Sequence, residues 1–227
     1  MTQYEISLLG ERWRIFLISA DELPEGDPDP YSIYILPDPN YDVTVRVGRT
    51  LCRDLWLLRL LLDYFYTSVL GYPKCTLDVA GSAAFELEIF DTPPGIAAIR
   101  LPKCKRLLTN CVALPDGTTH TVYTALCDYP VRVITPDCGE RIRPESLSAF
   151  LLLDGLPDAR EVVALSAGNL VLPPLAHLST SALIAAATVT GNLPVTLNHG
   201  SCEMTVSEES DSLLLTASAR LLSKKII

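Results

Sequence analysis

Hydrophobic and polar residues alternate along most of this chain, and the alternation stops twice for longer apolar runs. Tyr4, Ile6 and Leu8 fall on one side of a period-two pattern; after Gly10 a second such run covers residues 13–18, so the two predict a β-hairpin. Val43, Val45 and Val47 predict a strand that ends at Gly48, with Thr50 placed to cap a helix. The first break then begins. Leu55, Leu58, Leu62 and Phe65 stand at helical spacing among Trp56, Leu57, Leu60 and Leu61, which predicts a helix over residues 52–70 that is apolar almost all round and therefore buried. The second break, residues 170–189, carries Pro173-Pro174 and then Ser179-Thr180-Ser181, predicting a loop followed by a helix over residues 180–190 rich in Ala182, Ala185, Ala186 and Ala187.

Each helix leads into related strands. Gly71 and Thr76 recur as Gly191 and Thr196, an offset of 120 residues, and Gly81 recurs as Gly200 at an offset of 119. Further strands are predicted over residues 32–36, 85–89, 111–114, 119–126, 131–134, 161–165, 195–197, 202–206 and 213–221, and Pro144 opens a short helix over residues 145–153. Five prolines among acidic residues make residues 21–42 an exposed, loop-rich excursion around its one strand. The resulting fold class is α+β: two pseudo-symmetric lobes, each a mostly antiparallel, barrel-like β-meander wrapped around a central buried helix. Residues 1–110 form the N-terminal lobe, joined by the C-terminal strand at residues 213–227, and residues 111–212 form the C-terminal lobe. Two similar halves facing one another create a cleft, a common place for a ligand.

Composition narrows the classes of function. The 227 residues are 48% hydrophobic and 20% charged, as expected of a globular chain with a substantial core. A net charge of −9 argues against a nucleic-acid partner, because phosphate binding draws on Lys and Arg, and Lys103, Lys105 and Arg106 are the densest basic cluster. The apolar runs are interrupted by Arg59, Asp63 and the proline pair, so no membrane span is expected. Seven scattered cysteines and no secretory signal point to reduced thiols in the cytoplasm. His120, His177 and His199 lie far apart and no Cys pair has zinc-knuckle spacing, so no metal is expected.

The repeat and its two helices resemble the diaminopimelate epimerase family of cofactor-independent amino-acid isomerases. The resemblance is clearest from Ser181 to Gly200, where the Ala-rich helix, Gly191, Pro194-Val195-Thr196-Leu197 and Gly200 look like that family's helix, its Gly exit and the strand and turn beyond. Leu8-Leu9-Gly10, Leu51-Cys52 and Gly117-Thr118-Thr119-His120 extend it over nearly the whole chain. It implies a racemase or epimerase that needs no cofactor, in which a thiol at the start of each central helix serves one face of the substrate α-carbon and helix N-termini bind the α-carboxylate. The implied ligand is a small amino acid or related carboxylate, and a homodimer is compatible with it.

On the matching positions, Cys52 and His177 are the implied acid–base pair, with His120, Thr118, Ser179, Thr180 and Glu11 around the substrate. The motifs depart from the family. Cys52-Arg53-Asp54-Leu55 stands in place of Cys-Gly-Asn-Gly, and residues 176–181 lack the second Cys, so that either His177 or Leu178 falls at its position. This leaves two readings. One is an amino-acid racemase with an asymmetric Cys52–His177 pair; the other is a pseudoenzyme that kept the scaffold as a binding or structural module, with Arg53, Leu55 and Leu178 filling the former cleft. Ser82 and Ser201 follow turn glycines in both copies and mark a shared turn.

Overall fold

The computed structural model describes residues 1–26, 29–38, 42–47, 55–71, 75–79, 84–88, 90, 92–113, 119–135, 150–151, 156–166, 169–172, 178–199 and 202–227. The chain divides into two compact units, Met1–Arg100 with Thr216–Ile227, and Leu101–Leu215. No described helix is long and apolar enough to cross a membrane.

The first unit is built on β1 (Thr2–Leu8), β2 (Glu11–Leu17), β3 (Ser32–Pro37), β4 (Val43–Val47), β5 (Cys75–Val79), β6 (Ala84–Leu87), β7 (Ile96–Pro102) and the greater part of β15 (Ser212–Ile226). Alternation does what it predicts in β1, where Tyr4, Ile6 and Leu8 are buried. The β1–β2 hairpin closes through two residues of positive φ, Leu9 at 52° and Gly10 at 74°, the handedness a tight two-residue connection requires. Sheet order is β6-β5-β4-β3-β2-β1-β15, with β7 also paired to β15. From β15 to β6 the pairings run antiparallel, antiparallel, parallel, antiparallel, parallel, antiparallel.

The second unit holds β8 (Arg106–Ala113), β9 (Thr119–Leu126), β10 (Pro130–Thr135), β11 (Glu161–Ser166), β12 (Asn169–Leu172), β13 (Val195–His199) and β14 (Cys202–Glu209). From β8 to β14 the pairings keep the same order of directions: antiparallel, antiparallel, parallel, antiparallel, parallel, antiparallel. The parallel pairs mean that neither sheet is a simple meander. Each needs a crossover, and a helix supplies one of them in both units: α1 (Trp56–Tyr64) lies between β4 and β5, and α2 (Thr180–Thr190) between β12 and β13. β12 is a strand where the sequence pattern predicts only a loop. The short helix expected at residues 145–153 falls largely outside the described residues.

Both helices end at a glycine in the left-handed region, Gly71 at φ 72° and Gly191 at φ 75°, where a side chain would be strained. Their beginnings differ. The first helix is described from Trp56, with Leu55 in the N-cap position and no side-chain bond there, and the expected start at Cys52 lies outside the described residues; its last turns widen into a π-helix over Phe65–Leu70. Thr67 Oγ1 donates to the Asp63 carbonyl at 2.6 Å, a back-bond that accompanies the widening. The second helix is capped by Ser179, whose hydroxyl accepts from the Ala182 amide.

Among the described residues, the core of the first unit contains one acid. Asp63 is fully buried in α1; its carboxylate accepts from the Ala98 amide at 2.9 Å and the Phe90 amide at 3.3 Å, and burial pushes its pKa up to about 6 against the pull of those two bonds. Beside it the Tyr64 hydroxyl accepts from the Leu221 amide at 2.9 Å, next to the register shift between β1 and β15. These two side chains therefore tie the helix to β7 and β15.

The second unit carries a buried cation instead. Arg132 of β10 donates to the Phe150 carbonyl at 2.5 Å and the Pro157 carbonyl at 2.9 Å, and burial lowers its pKa. Around it Val122, Ile134, Phe150 and Val162 form an apolar cluster. Arg132 thereby anchors the described ends of the 150–158 segment over the strands.

Candidate functional site

The start of α2 gathers more polar chemistry than any other described helix end. β10 and β11 run parallel, with Val131 level with Glu161, so the beginnings of both strands lie at the same edge. Glu161, at the start of β11, receives the Ser179 amide at 3.3 Å on Oε1 and the Ser179 hydroxyl in a short hydrogen bond on Oε2. The Tyr129 hydroxyl, just before β10, donates to the same Oε2 at 3.2 Å, and the Arg160 guanidinium lies 5.5 Å from the Tyr129 ring centre. Ser179 in turn accepts from the Ala182 amide at 3.0 Å. A helix start favours negative charge, and here the chain's own carboxylate meets it through the N-cap residue.

Chemically this is a closed arrangement. Glu161 has three donors and Ser179 is engaged through its amide and in both senses through its hydroxyl. Leu178, immediately before the cap, is only 2% exposed. A carboxylate so bound orients the first turn, and a second carboxylate at the same cap would meet it at close range.

Four of the expected site residues, Ser179, Thr180, His120 and Glu11, are among the described residues. Ser179 and Thr180 are the cap and the first residue of α2, and Ser179 carries the cluster just described. Cys52, His177, Thr118 and Arg53 lie outside the described residues. Leu55 is half-buried. Glu11 is exposed at the start of β2, paired with Leu8 across the hairpin.

His120 is buried near the start of β9, its ring 5.6 Å from that of Phe150 in an edge-to-face arrangement. Because β9 runs antiparallel to β10, it is Ala125 that stands level with Val131 and Glu161. His120 is five residues further along that strand, roughly 17 Å at about 3.3 Å per residue. The fold thus brings Ser179 and Thr180 together, and sets His120 at the other end of the strand. Glu161 and Tyr129 escape a reading of the sequence because each sits beside a strand boundary with no pattern pointing to a helix 18 residues or more away. Among the described residues no three His, Cys, Asp or Glu side chains converge as metal ligands.

With that geometry in place, the fold defines a class. No protein-family model matches the chain. Nor does any curated protein. Solved structures do, end to end. A protein from Clostridium difficile (strain 630) described as of the phenazine-biosynthesis PhzC/PhzF type matches with a TM-score of 0.61 at 11% identity, covering 100% of this chain and 99% of that one. A predicted epimerase from Pseudomonas aeruginosa gives 0.56 at 12% identity, over 100% and 98% of the two chains. A PhzF-family protein from Enterococcus faecalis gives 0.51 at 11%, over 98% and 97%. The chain therefore has the fold of the PhzF-like and diaminopimelate epimerase-like proteins: mostly sheet, with two α-helices among the described residues.

Proposed function

We propose that this protein is a diaminopimelate epimerase-like scaffold, built from two duplicated lobes around central helices, that has given up amino-acid racemisation and serves as a binding or structural module. The observation that carries this is the Glu161–Ser179 cap. In racemases of this kind the start of a central helix offers its amides to a substrate carboxylate; in this chain Glu161 takes the Ser179 amide and hydroxyl itself. Duplication is supported by the identical order of strand directions in the two units and by the register: Leu77 pairs with Phe85 and Leu197 with Met204, the offsets of 120 and 119 read from the sequence. Acidic net charge fits a protein partner or small ligand better than nucleic acid.

The test is exchange of substrate α-protons in deuterated buffer, followed by proton NMR over a panel of free amino acids and their N-substituted and hydroxylated derivatives. The expected result is no exchange above the protein-free rate. Exchange that disappears in Cys52→Ser would overturn the proposal.

The second reading, an active cofactor-independent isomerase using Cys52 and His177 on a small amino acid or carboxylate, is favoured by the end-to-end likeness to the structure described as a predicted epimerase. Fold alone does not carry chemistry when motif residues differ. The same experiment separates the two, since this reading requires exchange lost in both Cys52→Ser and His177→Ala.

A further inference from the structure

Among the described residues four cysteines of the second unit are free thiols, and one of them, Cys104, reaches the backbone carbonyl that precedes another, Cys127. Cys104, half-buried between β7 and β8, has its sulfur 3.1 Å from the Arg106 carbonyl oxygen and 3.6 Å from that of Leu126. That Leu126 oxygen also accepts from the Lys105 amide at 2.9 Å, which closes the end of the β8–β9 pairing. Cys127 is the next residue after Leu126. It is buried, with its sulfur 3.6 Å from the Ser181 carbonyl oxygen at the first turn of α2. The Cys127 thiol is pushed up to about 12, first by burial and then by the charge and hydrogen bonding of Cys104.

Access is one-sided. Cys104 lines a cavity of about 210 Å³ together with Lys103, Thr188, Gly191 and Glu208, whereas Cys127 is buried and does not line it. A small oxidant entering the cavity therefore meets Cys104 first. Cys111 is exposed on β8, where it pairs with Thr121, and Cys202 opens β14, in register with His199 of β13; each serves as an internal comparison.

We propose that Cys104 and Cys127 are a peroxide-sensing dithiol that closes to a reversible intrachain disulfide. The chemistry balances with a hydroperoxide as oxidant. The Cys104 thiolate attacks one peroxide oxygen, the O–O bond breaks, and the displaced alkoxide or hydroxide takes up a proton, leaving Cys104 as a sulfenic acid. The Cys127 sulfur then attacks the Cys104 sulfur; the S–S bond forms, the S–O bond breaks, and the departing hydroxide leaves as water with the Cys127 proton. Two thiols lose two electrons and two protons, and one hydroperoxide is reduced to an alcohol or water plus a second water. A dithiol reductant reverses the step. The new bond would fasten the open end of the β8–β9 hairpin beside the start of α2.

The experiment treats the full folded chain with stoichiometric hydrogen peroxide, blocks remaining thiols with an alkylating agent, and maps peptides by mass spectrometry with and without dithiothreitol. The proposal expects a Cys104–Cys127 linked peptide, reversed by the reductant, while Cys111 is recovered alkylated. In Cys127→Ala, dimedone should trap a sulfenic acid at Cys104, and in Cys104→Ala the buried Cys127 should stay reduced. Recovery of both thiols alkylated, overoxidation of Cys104 with Cys127 still free, or crosslinks that involve other cysteines equally would overturn it. Retention of the wild-type circular dichroism spectrum by each variant ties these outcomes to the folded protein.

Discussion

The two helices occupy equivalent places in their sheets and end on the same kind of glycine, yet they satisfy their polar groups in opposite ways. In the first unit α1 begins without a side-chain cap and carries its anchor deep in its length, where Asp63 reaches amides at Phe90 and Ala98. In the second unit α2 is neutral and Ala-rich along its buried face, and its anchor is at the very start, where Glu161 reaches back to Ser179. A repeated pattern of strand directions therefore fixes where a helix goes but not how its polar ends and neighbours are paired. That freedom is what allows a helix start in such a scaffold to be open to a ligand or filled by the chain itself.

The comparison can be broken most severely at Asp63. Asp63→Leu removes the acceptor for two buried amides, and each orphaned donor is costly; a loss of about 3 kcal/mol in urea unfolding is expected. A loss under about 0.5 kcal/mol would mean that the helix does not depend on this anchor. The same residue sets a pH dependence. Its folded pKa of about 6 lies above the ordinary value of 3.8, so the stability from its protonated form is complete below pH 3.8 and is lost as pH rises through 6. Wild-type unfolding free energy should therefore carry a component that falls between these pH values, and Asp63→Asn should lack it. Identical profiles for the two proteins would contradict this.

At the second helix the expected effects are smaller because the groups are only half-buried. Glu161→Ala strips three donors of their charged acceptor and should cost about 2 kcal/mol. Ser179→Ala removes a single cap bond to Ala182 and should cost about 1 kcal/mol, read from the same denaturation curves. If Ser179→Ala proves as harmful as Asp63→Leu, the ranking of buried over terminal anchors is wrong.

Much of this organisation is legible in the sequence, for reasons that particular residues make plain. Tyr4, Ile6 and Leu8 alternate because one face of β1 is buried, and Thr76 and Thr196, 120 residues apart, both lie in strands that pair antiparallel with the next, opposite Glu86 and Thr205. Gly71 and Gly191 mark both helix ends because only they enter the left-handed region without strain. The anchors are another matter. Asp63 meets partners 27 and 35 residues away and Glu161 meets Ser179 over 18, and backbone amides at such distances leave no periodic trace. The parallel pairings escape for the same reason, and β12, four residues next to Pro173, reads locally as a loop. Of the candidate site, Ser179 and Thr180 are named from sequence as groups around a substrate and the helix is read as beginning at Thr180, whereas the carboxylate that reaches Ser179 is not legible there.

The claim that this helix start is closed by Glu161 is tested most directly by following the Ser179 and Ala182 amide resonances while a free amino acid is added, in the wild type and in Glu161→Ala. The account predicts no saturable shift of either amide in the wild type, and a shift of the Ser179 amide once Glu161 is removed. A saturable shift of Ser179 in the wild type at equal or lower ligand concentration would contradict it.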